Sequence, residues 1–406
     1  MKTLLIISGG IEAVPGIQLA REMGLFVVVS DINQNAPGFK YANDHILVST
    51  YDVKGSVIAA KKYNDNIRKL DGVMCIASDV PHTVASVAAE LGLPGISIET
   101  AHLAVDKMAM KERFYSSGIP VPKFKALDNI NELHSTVKKW GYPLVIKPVD
   151  SRGARGVIRL IDGINLNWAW EHALSNSSSK RLMVEKYLSG PQVSTETIMI
   201  EGEGYTIGFS DRNYELLEKY SPYIIENGGD LPSNLSEKIQ NEVKTIVEKA
   251  ALSLGITNGI AKGDVVIYEG KPYIIEIAAR LSGGYFCTHE IPLNTGVNIV
   301  KQAIKQAIGD PINSYDLVQK YNHYICQRYL FLSPGIVQEV SGIEKVKSDN
   351  NVKFLDIRIK PGDKIREVTN HPSRVGLVIT SGTSRQNAVN NANRAISGLK
   401  ITMNIT

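Results

Sequence analysis

Apolar runs and amphipathic stretches alternate through the first hundred residues. Residues 4–8, 25–30 and 72–76 are short, almost unbroken apolar runs, and helical patterns follow at about 15–23 and 84–91, the latter closing at Gly92. Strands that are apolar on both sides and separated by helices predict a parallel sheet covered on both faces. Residues 54–69 predict a further surface helix. From about residue 100 the rhythm changes. A helical pattern over 101–116 is broken by Ile119-Pro-Val-Pro122, and short strands are expected at 144–147, 182–185, 192–200, 261–268 and 272–277. A long amphipathic helix spans 235–254, with Asn234 or Ser236 as its N-cap and Gly255 as its stop, and a second helix spans 296–308. Near residue 321 the pattern changes again, to strands at 324–332, 352–359 and 375–380 around two Pro-Gly turns, then a last helix over about 384–399. The polar tract 175–180 reads as an exposed loop.

Composition narrows the class. The chain has 406 residues, enough for two to four domains with cores that need no disulfide or structural metal. A net charge of +4 is too small to argue for nucleic acid or an anionic membrane. Cys75, Cys287 and Cys326 are odd in number and far apart, which fits a reducing cytoplasm. No apolar stretch approaches the ~20 residues of a membrane span, and the opening apolar run ends in Gly9-Gly10, so it reads as a strand. A cytoplasmic enzyme acting on small molecules is the expectation.

Four groups of residues carry candidate chemistry. Asp264 and Glu276 are 12 residues apart across the turn Glu269-Gly270-Lys271-Pro272. On paired antiparallel strands their carboxylates come side by side, which repels unless something positive lies near. A hard divalent cation would meet that need, since Mg²⁺ takes one or two carboxylates together with phosphate oxygens. Arg280 and then Ser282-Gly283-Gly284 offer a planar guanidinium and open backbone amides for an anion. Leu144-Val-Ile-Lys147-Pro148 ends a strand in a lysine, and the loop that follows, with Ser151, Gly153 and Gly156, can expose amides to phosphates. No GxxxxGK[ST] occurs. Lastly, Leu182-Met-Val-Glu185-Lys186-Tyr187-Leu188 runs a strand into a hinge that can offer one carbonyl and one amide to a purine edge.

These four groups, in this order, resemble the ATP-grasp superfamily of carboxylate–amine and carboxylate–thiol ligases, over nearly the whole chain. GGIEAVPGIQLAREMGL and ASDVPHTVASVAAELGLPG are similar to its preceding domain, Asp106-Lys107-Met-Ala-Met-Lys111 to its "DK…K" helix start, and RVGLVITSG with the final helix to the small C-terminal domain of amino-acid-ligase and purine-biosynthesis members. The implied fold class is α/β, with α+β in the ATP-grasp part. Its parts would be an N-terminal parallel α/β domain over 1–100, a two-lobed ATP-grasp domain over 101–318 whose lid is about 120–190, and a C-terminal α+β domain over 319–406.

The resemblance implies ATP and Mg²⁺, with Mn²⁺ as an alternative metal. Lys107, Lys147 and the loop Ser151–Gly153–Gly156 would contact the phosphates; Glu185, Lys186 and Leu188 would hold adenine, and Gln192 the ribose. Asp264 and Glu276 would bind the metal. Arg280 would steady an acyl phosphate beside the substrate residues Ser282, Gly283 and Gly284. One departure stands out: where the family carries Glu-x-Asn in the metal strand, this chain has Ala278, one oxygen ligand fewer.

The implied reaction phosphorylates a small carboxylate, an amino acid by analogy with dipeptide ligases, and joins it to an amine. The substrates would be small molecules, with neither nucleic acid nor membrane as partner, and a homodimer is compatible. Alternatives are a catalytically impaired ATP-binding protein of the same fold, a carboxylating ligase of the purine-biosynthesis type, and a dinucleotide-dependent oxidoreductase. The last is weakened because Ile-Glu-Ala-Val-Pro follows Gly10 where a G-x-G-x-x-G fingerprint needs glycines. Cys287 and His289 are too close in sequence to form a dyad on a regular element, though either could line a substrate pocket. His82 could face the cleft.

Overall fold

The computed structural model describes residues 1–404. Its first part is a parallel sheet in the order Asp44–Leu47, Phe26–Asp31, Thr3–Ile7, Gly72–Cys75. Leu4 and Ile6 pack with Ile17 and Ala20 on one face, while Leu5 and Ile7 pack with Ala60, Tyr63 and Val87 on the other. Burial on both faces is why the strand reads as a continuous apolar run. Helices Val14–Glu22, Val53–Asn66 and Pro81–Leu91 supply the covering layers, and Gly92, at φ +62°, ends the last of them.

The helix expected over 101–116 is two helices, Ile98–Val105 and Lys107–Ser116. Asp106 between them is extended, and its carboxylate accepts the Met108 and Ala109 amides as an N-cap. This break sets Lys107 on the first turn, where its own amide donates to the Val149 carbonyl at 2.8 Å.

The centre is one eight-stranded antiparallel sheet. Its order is Lys271–Ala278, Gly259–Tyr268, Gln192–Ile200, Glu203–Arg212, Gly229–Leu231, Tyr324–Leu330, Gly376–Gly382, Val352–Ile357. Helix Glu237–Leu254, capped by Ser236 and stopped by Gly255, packs Val243, Val247, Ala250 and Leu254 into this sheet's core. The strand Glu203–Arg212 is not evident from the sequence, because Gly204 and Gly208 interrupt it. Gly208 is required by closeness: a β-carbon there would lie 2.4 Å from Ile291 Cδ1.

Strands beyond the boundary expected near residue 318 extend this same sheet, with Asp230 opposite Cys326 and Leu231 opposite Ile325. A small sheet of Lys364–Ile365, Gly335–Ser341 and Lys400–Asn404 completes the C-terminal part. A separate antiparallel sheet, Phe124–Leu127, Leu182–Lys186, Leu144–Pro148 and Ile158–Leu160, lies with helices Ile130–Trp140 and Leu166–Ser175 where a lid was expected. The tract 175–180 leads out of that last helix, but Ser177 within it is buried and donates to Asp150 Oδ1 at 2.9 Å. No helix among the described residues is long and apolar enough to cross a membrane.

Candidate active site

A cleft of about 980 Å³ opens where the sheets meet, and Asp264 and Glu276 line it. They are direct cross-strand partners, and a β-bulge immediately follows Asp264. The two carboxylates are therefore neighbours, as the hairpin spacing predicts. Their repulsion is already offset by nearby side chains, of which the sequence singled out only Lys107. Asp264 Oδ1 accepts from Ser194 Oγ at 3.0 Å, meets Arg212 Nη1 at 3.0 Å and pairs with Lys262, while Lys107 Nζ lies 3.4 Å from Glu276 Oε2. Burial alone would raise Asp264; the cations Arg212 and Lys262 outweigh it and hold the carboxyl far below its ordinary range. Glu276 is likewise lowered, burial being overcome chiefly by Lys107.

One oxygen on each acid, Asp264 Oδ2 and Glu276 Oε1, makes no hydrogen bond or ion pair among the described residues. Two hard oxygen donors fit Mg²⁺, which keeps waters and phosphate oxygens as its remaining ligands. An all-protein cage is not present: no group of three or more His, Cys, Asp or Glu among the described residues could hold a metal. Ala278 lines the cleft directly across the strand pair from Lys262.

Lys147 and Glu185 form a buried ion pair, and Lys111 Nζ approaches the other Glu185 oxygen at 3.3 Å. Lys111 also donates to the Ile274 carbonyl at 3.0 Å. Desolvation pulls Lys111 down to about 8 against the attraction of Glu185. Glu185 is thus turned to two lysines in the interior, and neither it nor Lys147 lines the cleft. Any part Glu185 plays toward adenine therefore falls to its backbone, because buried lysines claim any buried carboxylate within reach. The Lys186 side chain is also engaged, its ammonium donating to the Trp140 and Gly141 carbonyls at 3.2 Å each. The Lys186 amide is engaged as well, donating to the Lys123 carbonyl at 2.8 Å. Gln192 stands opposite Val266 at the start of its strand.

The loop after Lys147 lines the cleft through Ser151 and Gly153. The Ser151 carbonyl accepts from Lys107 Nζ at 2.6 Å, and the Ser151 hydroxyl donates to the Arg155 carbonyl at 2.8 Å. Gly153 and Gly156 have φ of +62° and +70°; at Gly156 a β-carbon would also lie 2.7 Å from Asn176. The loop touches both flanking parts of the molecule. The Gly153 carbonyl accepts from the His371 amide at 3.0 Å, and the Arg152 guanidinium lies 4.6 Å over the Tyr51 ring.

Arg280 lines the cleft with Nε donating to Asp79 Oδ1 at 2.7 Å. Against its burial cost, Arg280 holds Asp79 down at about 2. Ser282 is not free to hold substrate: its amide donates to Glu196 Oε1 at 3.0 Å and its hydroxyl bonds the other Glu196 oxygen. The Gly284 amide donates to Glu12 Oε2 at 2.7 Å, and Arg358 holds the other Glu12 oxygen at 2.7 Å. The anion place expected at Ser282-Gly283-Gly284 is therefore built, and a protein carboxylate sits in it. Glu12, Arg212, Lys262, Arg358 and Arg374 line the cleft and were missed, since isolated charged residues carry no spacing signal.

Glu196 is wholly buried, and burial pushes its carboxyl up to about 7. A raised acid favours folding while protonated, so its contribution is complete below about 4.5 and is lost as pH rises through 7. From pH 5 to 8 the wild-type protein should lose about 3 kcal/mol of stability relative to Glu196→Gln, seen as a fall in its melting temperature. Parallel melting curves of the two proteins across that range check this.

Cys287 and His289 do not meet. The Cys287 thiol donates to the Ser282 carbonyl at 3.0 Å and burial raises its titration far above the ordinary value. His289 packs on Phe354, is lowered to about 4 by burial, and like Cys287 is outside the cleft lining. His82 stacks edge-on with His102 and also lies outside it, whereas its neighbour Pro81 is a lining residue. The Gly9 amide donates to Asp31 Oδ2 at 2.9 Å, so Asp31 ties down the glycine loop.

Residues 104–284 match the ATP-grasp domain family, and residues 328–404 match the L-amino acid ligase C-terminal domain 2. The chain thus carries an ATP-grasp domain followed by an L-amino acid ligase C-terminal domain. Among solved structures, the L-amino acid ligase from Bacillus licheniformis superposes with a TM-score of 0.84 at 22% identity, covering 100% of this chain and 99% of that one. The biotin carboxylase domain of 2-oxoglutarate carboxylase from Hydrogenobacter thermophilus, solved with MgADP, superposes at 0.76 and 19% identity, covering 99% and 91%. A D-alanine–D-alanine ligase from Azoarcus sp. is 26% identical over 199 residues, which is 48% of this chain and 64% of that ligase. The chain thus shares the fold of these enzymes, and its residues 328–404 match a domain described for L-amino acid ligases.

Proposed function

We propose that this ATP-grasp chain is an ATP-dependent ligase that joins a small carboxylate, an amino acid, to an amine and releases ADP and phosphate. One observation carries the proposal: Asp264 and Glu276 face each other in a cleft that Lys107, the Ser151–Gly153 loop and Arg280 also line. The match of the C-terminal part to L-amino acid ligases supports an amino acid as the acid partner.

In this reading Asp264 and Glu276 hold Mg²⁺ (or Mn²⁺), which when bound would neutralise charge on the phosphates. Lys107 and the amides around Gly153 and Gly156 orient the triphosphate. Lys147 joins them by exchanging Glu185 for a phosphate oxygen; Lys111 stays behind to neutralise Glu185. The Lys186 and Leu188 backbone holds adenine, and Gln192 accepts from a ribose hydroxyl. A substrate carboxylate oxygen attacks the terminal phosphorus, and its bond to ADP breaks. The amine nitrogen then attacks the acyl carbon, inorganic phosphate leaves, and the amine proton passes to solvent. Arg280, fixed by Asp79, offsets charge on the acyl phosphate. Catalysis here is positioning and charge placement, with no side-chain nucleophile.

Incubation with ATP, Mg²⁺ and mixed amino acids should release ADP and phosphate only when amino acids are present, with a product of condensed mass. Absence of nucleotide affinity would end the proposal. Tight nucleotide binding without turnover would favour the impaired-protein reading suggested by Ala278, and turnover requiring bicarbonate would favour a carboxylating ligase.

A further inference from the structure

Beyond Gly284 the cleft contains polar groups that the proposed reaction does not use. Glu290 lines it, is 2% exposed, and its carboxylate has no hydrogen bond or ion pair among the described residues. The nearby acids do not share this condition. Asp230 is held by Arg328 at 2.9 Å, and Glu226 by Arg374 at 2.9 Å and Arg212 at 3.3 Å. Leaving one carboxylate buried without a counterion is costly, because charge removed from water needs a partner or a proton.

Two further acceptors line the same cleft. Gln327 donates its amide to the Gly284 carbonyl, which leaves Oε1 open, and the Tyr329 hydroxyl makes no hydrogen bond among the described residues. Both line the cleft. They lie 3.9 Å and 2.2 Å from the point where a β-carbon on Gly284 would sit, so the absence of a side chain at Gly284 keeps this corner open. Tyr329 is itself fixed, with the Arg374 guanidinium 3.7 Å over its ring.

We propose that Glu290, Gln327 Oε1 and the Tyr329 hydroxyl form a pocket for an organic ammonium group of a substrate. An ammonium has three donors and no acceptor, so it matches a carboxylate, an amide oxygen and a phenol oxygen. A neutral methyl in its place would leave all three unpaired. The burial that raises Glu290 in the empty pocket is consistent with this, since the carboxyl keeps its proton until a cation arrives. The inference rests on the ligase reading for what enters the cleft. It adds which group of the substrate is read and by which residues.

The test is calorimetric binding to the full-length protein with MgADP present, so that turnover is not required. Two ligand pairs separate the sources of the ammonium: lysine against norleucine for a side-chain group, alanine against propionate for an α-amino group. In at least one pair the ammonium compound should bind about tenfold tighter or more. E290Q should reduce that ratio below threefold, and Y329F, which removes one oxygen and keeps the ring, should reduce it partly. Equal affinities within both pairs, or a ratio unchanged in E290Q, would overturn the pocket; if E290Q does not fold, an unchanged ratio in Y329F does so. Amino-acid-dependent ADP release with no ammonium preference would leave the ligase reading standing and remove this one. Ammonium preference without any ADP release would do the reverse.

Discussion

Glu276→Gln should lower ATP turnover by about a hundredfold or more while leaving the melting temperature nearly unchanged. The magnitude is that of removing one fixed charge from a phosphoryl-transfer site. The small stability effect follows from its surroundings: Glu276 is 31% exposed at its side chain, and its one ionic neighbour, Lys107, also donates to the Ser151 carbonyl. Asp264→Asn should cost activity to a similar degree and stability as well, because Arg212 and Lys262 both depend on its charge. The pair of substitutions separates metal binding from charge compensation. Steady-state kinetics over a range of Mg²⁺, with melting curves alongside, reads both effects. Full turnover in Glu276→Gln at ordinary Mg²⁺ would remove the acid pair from the mechanism.

Glu185→Leu should be the most destabilising single change in the cleft region, at about 3–5 kcal/mol. Its carboxylate is the shared counterion of Lys111, 1% exposed, and Lys147, 4% exposed. Truncating it leaves two like charges in the interior, and their mutual repulsion adds to the desolvation of each. Adding Lys111→Met to Glu185→Leu should recover part of the loss, since it removes one of the two buried like charges. Thermal and urea denaturation of the single and double variants decides this. A single variant as stable as the wild-type protein would mean that the two lysines shed their protons at little cost.

What the sequence disclosed follows from which forces are local. The parallel strands were legible because burial on both faces leaves an unbroken apolar run, and Asp264 faces Glu276 because a hairpin fixes its own register. The split at Asp106 was hidden, since a helical pattern runs through it and only the cap geometry shows the break. Strand Glu203–Arg212 was obscured by glycines that tertiary closeness demands, and with it went Arg212, the strongest ionic partner of Asp264. Glu185, Lys186 and Ser282 were found as site residues, but their side-chain partners come from 38 to 86 positions away or from carbonyls 44 to 46 positions back. Long-range pairing of this kind has no sequence period, so it becomes visible only when the chain is folded.

The unbroken central sheet has a consequence for how such a protein can be altered by recombination. Because Gly229–Leu231 is bonded on one side to the strand bearing Arg212 and on the other to Tyr324–Leu330, the sheet runs unbroken from the acid pair into the C-terminal part. The segment carrying Gln327, Tyr329 and Arg374 is a built-in wall of the cleft rather than an attachment. Exchanging it for the corresponding piece of another ligase would cut through a hydrogen-bonded ladder and the Arg328–Asp230 pair together. Single side chains along that wall can be altered without breaking the sheet, whereas a whole module cannot.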